Sequence, residues 1–282
     1  MNTLQRVLVI VGYEWKRALA KKKILALVIL AIVIQVLPFI AFTQISPGFL
    51  TEEAKATMWI FGALGGQSLF IQLVAMIIAG GSMSEEYEHG TADILLSKPI
   101  RRLEYLAGKF VGGFLLLIAV ETLMVATGVL MGFAFFGPQS QLQFAPLILG
   151  AIAYSSLLFF SLTFMFSEVV RRGMIAILVA IGVFIVSQIL SGVLLVLYSL
   201  SQASGQPVSF YLDLSKVLPT WSAGNLPTFI ASQLMPTLQN PLITLATGDT
   251  ALSAALIAVY MVASIALAVT RLLKSDITKK AD

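Results

Sequence analysis

Two places in this sequence carry residues that could do chemistry. The first is the stretch 84–109, SEEYEHGTADILLSKPIRRLEYLAGK, in which Glu85, Glu86, Glu88 and Asp93 precede the basic residues Lys98, Arg101 and Arg102. Opposite charges around the apolar pair Leu95 and Leu96 suit recognition of a second protein, because apolar anchors seat in a groove while charges set the orientation. The second is Glu121, alone within an apolar run. Such a carboxylate is a functional candidate. It lines a path or takes up a proton, or it stays neutral and hydrogen-bonds a helix neighbour such as Gln67 or Gln188.

Enzyme chemistry finds no support. A phosphate-cradling loop needs Gly-x-x-x-x-Gly-Lys followed by Ser or Thr, and Gly108-Lys109-Phe110 lacks both the leading glycine and the hydroxyl. With one histidine, His89, no cysteine and ten scattered methionines, no metal site is expected. The chain reads as non-catalytic, with no metal or cofactor of its own.

The elements that position these residues are membrane helices. Of the 282 residues, 58% are hydrophobic and 11% charged, against about a quarter charged in ordinary soluble domains. Mean hydropathy is +0.94. A helix crosses the hydrocarbon layer with about 20 apolar residues, and six segments qualify: 24–42, 59–79, 110–136, 144–166, 174–200 and 251–270. In lipid the backbone must satisfy its own hydrogen bonds, so the expected fold is an all-α integral membrane protein of six spans, forming a single domain over 1–282. Sixteen of the 18 basic residues fall in the N-terminal stretch, the 84–109 loop, the 167–173 loop and the C-terminal stretch. The positive-inside rule therefore places both termini in the cytoplasm. The net charge of +4 follows from this anchoring. No basic face interleaved with aromatics points to nucleic acid. The first apolar run lacks a small-residue cleavage site and reads as retained.

Residues 1–23 read as an amphipathic helix in the headgroup region, with Leu4, Val7, Leu8, Val11, Trp15 and Leu19 near helical spacing. Arg171 and Arg172 read as headgroup anchors. The 201–250 stretch holds five prolines and is expected to form short helices on the outer surface, as a lid or a packing cap. Gly62 and Gly66, and Gly128 and Gly132, have the small-xxx-small spacing of close helix packing. Gln67, Gln72, Ser187, Gln188 and Ser191 are polar groups at depth that need partners or a hydrated cavity.

The order Glu86-x-x-x-Gly90-Thr91-x-x-x-Leu95-Leu96-Ser97-x-Pro99-Ile100-x-Arg102, closed by Gly108-Lys109, resembles the cytoplasmic signature of ABC transporter type-2 permeases, and within them the branch with a NosY-like permease. Glu14 and Lys16 in the first helix and Asp276-Ile277 after the last span extend the likeness. Lys98 before the proline departs from it. The resemblance implies that the 84–109 loop forms a coupling helix seated in a separate ATP-binding subunit. Glu85, Glu86, Glu88, Gly90, Thr91, Ile94, Leu95, Leu96, Pro99, Arg101 and Arg102 would form that interface. It further implies that spans two and five line the path through Gln67, Gln72, Ser187, Gln188 and Ser191, to which Glu121 is added. Two ATP-binding subunits carrying ATP and Mg, and a second permease copy or paralogue, would complete an exporter in a prokaryotic-type cell membrane. The rival reading is a proton-coupled secondary transporter using Glu121; such proteins usually show internal repeats, and no repeat is evident.

Overall fold

The computed structural model describes residues 2–20, 22–44, 51–65, 67–91, 100–204, 208–234 and 249–274. Among these residues the chain is helical, with no strand. The first helix, α1 (Thr3–Leu19), is followed by α2 (Lys22–Thr43), α3 (Glu52–Ala56) and α4 (Met58–Gly65). A short π-helical segment, Gln67–Ile71, leads into α5 (Gln72–Glu88). The long α6 (Arg102–Phe136) and α7 (Ala145–Val170) are joined by a tight turn, and α8 (Gly173–Ala203) follows α7 directly. Two shorter helices, α9 (Ser209–Val217) and α10 (Pro219–Leu234), precede α11 (Thr250–Lys274).

Five helices are long and apolar enough to cross a bilayer: Met58–Glu88, Arg102–Phe136, Leu142–Val170, Gly173–Ala203 and Thr250–Lys274. Each contains the span expected from sequence and extends it by about a turn or more, because charged ends continue the helix out of the apolar run. The sixth expected span corresponds to α2, whose apolar stretch Val28–Ala41 is shorter.

Small residues decide where the helices meet. A Cβ on Gly128 would stand 2.9 Å from the Ala63 amide nitrogen, and one on Gly62 would stand 3.2 Å from the Gly128 Cα. The backbones of α4 and α6 therefore touch, as the glycine spacing suggests. Gln35 of α2 closes the same junction, its Nε2 donating to Gly62 O (3.0 Å) and Met124 O (2.7 Å). Further along, Ile78 of α5 lies against Gly113 of α6. The π segment Gln67–Ile71 lies between these two contacts, where α4 gives way to α5.

In the 201–250 stretch, α10 packs against α7, α8 and α11, burying Thr220, Trp221, Ala223, Asn225, Pro227 and Ala231. Asn225 Nδ2 donates to Ser253 Oγ of α11 at 2.8 Å, and Thr220 shares a 2.7 Å hydrogen bond with Ser187 of α8. Its small, apolar and amide-bearing face gives it a packing stripe that composition alone presents as loop. The Gly128–Gly62 contact leaves no room for a methyl group, so Gly128→Ala should destabilise the protein by about 1–3 kcal/mol, the usual cost of overpacking. A thermal midpoint in detergent unchanged by Gly128→Ala, or lowered equally by Gly150→Ala where a Cβ meets nothing within 4 Å, would refute this.

Candidate functional site

Four helix ends converge where α5 leaves the bundle and α6 re-enters it. At the centre is Lys109 of α6, without exposed surface, ion-paired with Glu14 of α1 and Glu86 of α5. Both carboxylates are buried as well. Tyr105, one turn before Lys109, donates its hydroxyl hydrogen to Glu86 Oε2. Arg17 closes the cluster, reaching Glu14 Oε2 at 2.8 Å, Glu86 Oε1 at 3.4 Å and the carbonyls of Gly81 and Ser82 at 3.2 Å each. A lysine can be this deep only because two anions and the rings of Tyr13 and Tyr105, 5.3 and 5.5 Å away, replace its water.

Local sequence builds this arrangement. The α1 helix starts at an Asn2 cap reciprocated by Gln5. It presents three faces: Ile10, Glu14 and Ala18 are buried, Leu4, Leu8 and Leu19 form an exposed apolar stripe, and Gln5 and Lys16 are exposed and polar. The buried face lies in a groove of α6 made by Gly108 and Gly112, where a Cβ would stand 2.7 Å from Ile10 Cβ and 3.0 Å from Glu14 Cβ. The interfacial helix expected from sequence thus has a third, protein-facing side that carries a carboxylate. At the start of α6, Glu104 caps the Arg101 amide at 3.1 Å and pairs with Arg6 of α1 at 3.3 Å.

The end of α5 is also fastened to α7 and α8, and the start of α6 to α11. Ser84 N donates to Ser167 Oγ (3.0 Å), and that hydroxyl donates to Gly80 O (2.9 Å). Tyr87 OH donates to Glu168 Oε2 at 2.8 Å, and the Arg171 guanidinium lies 4.6 Å from the Tyr87 ring centre. Arg171 follows the last residue of α7 at φ 58° and is part of this junction. Glu88 Oε1 accepts from Gly173 N at 2.8 Å, capping the positive end of α8 from another helix. Arg102 Nη1 donates to Leu272 O (2.9 Å), covering the negative end of α11. Gly90 takes φ 68°, a conformation that terminates helices and favours glycine.

The expected interface residues therefore divide. Glu86 lies inside the cluster, Glu88 is exposed and caps α8, Glu85 lies 3.9 Å from Arg17, and Arg102 covers α11. Gly90 and Arg101 are exposed and Thr91 half-buried. Ile94, Leu95, Leu96 and Pro99 lie outside the described residues. Beside the cluster is an open cavity of about 530 Å³, lined by Tyr13, Arg17, Lys22, Glu85, Glu88 and His89 among others.

The expected path residues do not form one surface. Gln72, Ser187 and Ser191 are buried, and Gln188 is exposed on the outer side of α8. The Gln67 side chain lies outside the described residues. Glu121 has no exposed surface; Ser156 of α7 donates to its Oε1 at 2.6 Å. Gln188 is not that partner. Sequence reasoning also missed Glu14, Lys109, Tyr87, Glu168 and Gln35 as site or packing residues. One signal was readable: Glu14 stands four residues from both Ile10 and Ala18, on the stripe a packed helix would bury.

Long apolar helices ending in one cluster of paired charges define a multi-pass membrane protein. The chain belongs to the ABC-2 family of transporter proteins: the family described as ABC-2 family transporter protein matches residues 8–277. Comparison with the curated proteins gives no match. The arrangement predicts a specific hierarchy of damage. Lys109→Met strands two buried carboxylates and should cost about 3–5 kcal/mol, seen as a collapse in folded yield. The combined Glu14→Gln, Glu86→Gln, Lys109→Met variant should recover most of that loss. A triple variant no better than Lys109→Met would show that charge pairing is not what holds the cluster.

Proposed function

We propose that this chain is the membrane permease subunit of an ATP-driven exporter, moved by a separate ATP-binding subunit that docks at the loop between α5 and α6. Membership of the ABC-2 family supports a transport role, and family members of this kind work with an ATP-binding partner. The observation that carries the coupling reading is the hub: both flanks of that loop are bonded to α1, α7, α8 and α11 through Lys109, Arg17, Tyr87, Glu88 and Arg102. Force applied to the loop reaches all of these helices without a flexible link, as rigid-body rearrangements require.

In this reading Glu85, Glu86 and Glu88 transmit and do not touch the partner with their whole side chains. His89, Gly90, Thr91 and Arg101, with Ile94, Leu95, Leu96 and Pro99 from the segment between them, meet the ATP-binding subunit. The cavity beside Arg17 and Glu88 is part of the same surface. Two permease copies and two ATP-binding subunits assemble, with ATP and Mg on the latter. Six spans, α2 being the first, leave both termini in the cytoplasm of a prokaryotic-type cell. Between the copies, Gln188 on the outer side of α8 faces the path.

The test is affinity purification from the native membrane. An ATP-binding protein should be recovered in equal amount with the wild-type chain and at least tenfold less with Leu95→Asp/Leu96→Asp, at unchanged permease yield. Recovery of no nucleotide-binding protein with the wild type, or equal recovery with the double variant, would refute the docking site.

A further inference from the structure

Where α5, α6 and α7 meet, the bundle holds two acceptor oxygens with no hydrogen-bond partner among the described residues: Glu121 Oε2 and Gln72 Oε1. Both residues are buried, at 0% and 2% exposure. Their levels coincide. Ser84 of α5 meets Ser167 of α7, and Gly80 meets Thr163 with the same offset, which sets Gln72 opposite Ser155, the neighbour of Ser156. On α6, Gly113 faces Ile78, so the antiparallel register brings Gln72 beside Ala119 and Val120, next to Glu121. Gln72 also shares the α5 stripe of Met76, Ala79 and Met83. All three are without exposed surface, and Ala79 and Met83 pack in one cluster with Leu117, Phe160 and Phe164 of α6 and α7.

Gln72, Glu121 and Ser156 thus lie at one level where three helices meet, all three buried. The inventory of donors is short by one. Ser156 supplies a hydrogen to Glu121 Oε1, and nothing described supplies one to either orphaned oxygen. Among the described residues, no cation is placed to neutralise a carboxylate there. Lys109, 12 residues back along α6, is engaged by Glu14 and Glu86. On α5 the nearest charge is Glu85, on α7 it is Glu168, α4 has none, and Asp249 before α11 is paired with Lys216. Lys22 of α2 lies at the far end of that helix from the Gln35 junction.

We propose that this junction is a proton-binding site: Glu121 is a neutral carboxylic acid whose Oε2–H donates to Gln72 Oε1, directly or through one water, while Oε1 accepts from Ser156. One bound proton satisfies both orphaned acceptors and removes the only unpaired charge at this depth. The proton is a fixed component of the fold, with its donor, acceptor and surroundings all buried. This inference does not rest on the transport reading and stands or falls apart from it.

Infrared difference spectroscopy of the full-length protein in lipid nanodiscs at neutral pH tests it directly. The wild type should show a protonated-carboxyl C=O band that shifts in deuterated water. The band should disappear in Glu121→Gln, whose amide keeps the shape and supplies a donor, with the thermal midpoint retained. Gln72→Leu and Ser156→Ala should each move the band without abolishing it, which assigns it even if Glu121→Gln folds poorly. Absence of the band in the wild type, or a band indifferent to all three substitutions, overturns the proposal. So does a thermal midpoint raised by sodium but not choline chloride in the wild type and not in Glu121→Gln, since a metal cation would then occupy the junction.

Discussion

A lysine ammonium with no exposed surface is the interaction on which the rest of this structure depends. Withdrawing such a charge from water costs several kcal/mol even after relaxation, and Lys109 meets that cost by gathering Glu14, Glu86 and two tyrosine rings around itself. The two carboxylates come from different stretches of chain, Glu14 from α1 and Glu86 from α5. The ammonium therefore fixes α1 against α6 and α6 against α5 at the same time. An apolar contact of equal size would tolerate sliding; this one does not, because any shift leaves a buried charge without its partner. The glycines at 108 and 112 are the steric counterpart, letting α1 approach closely enough for Glu14 to reach.

From that centre the ties spread outward by short polar links between helix ends. Carboxylate, hydroxyl and guanidinium groups of α5, α6 and α7 take the amides and carbonyls that helices leave unsatisfied at their termini. The result is an asymmetric bundle. One end is cross-bonded through nearly every helix. The other is held by close packing at Gly62 and Gly128, by Gln35 across three helices, and by α10 inserted among α7, α8 and α11.

Much of the architecture was legible in the amino-acid order, because hydrophobic length is a strong and local signal. The helices beneath spans two to six followed from it, as did the amphipathic character of α1 and close helix packing at Gly62 and Gly128. What was not legible was which charged groups face inward. Glu86 belongs to a run of acids that reads as a docking surface, and only the placement of Lys109 and Arg17, distant in sequence, turns it into a core residue. The inward packing of α10 is similarly non-local: its buried Pro227 and Asn225 are loop-like in composition, and Ser253 and Ser187 supply the partners. Local pattern gives the helices; the pairing of polar groups across long sequence separations gives their arrangement.

The capping of α8 by a side chain outside it has a bearing on biogenesis. The Gly173 amide is received by Glu88, a residue 85 positions earlier in the chain. Because translation runs from the N-terminus, the acceptor is synthesised and inserted before the donor emerges. The first turn of α8 thus docks onto a finished template, and the order in which the ribosome delivers the helices matches the order in which their ends can be satisfied.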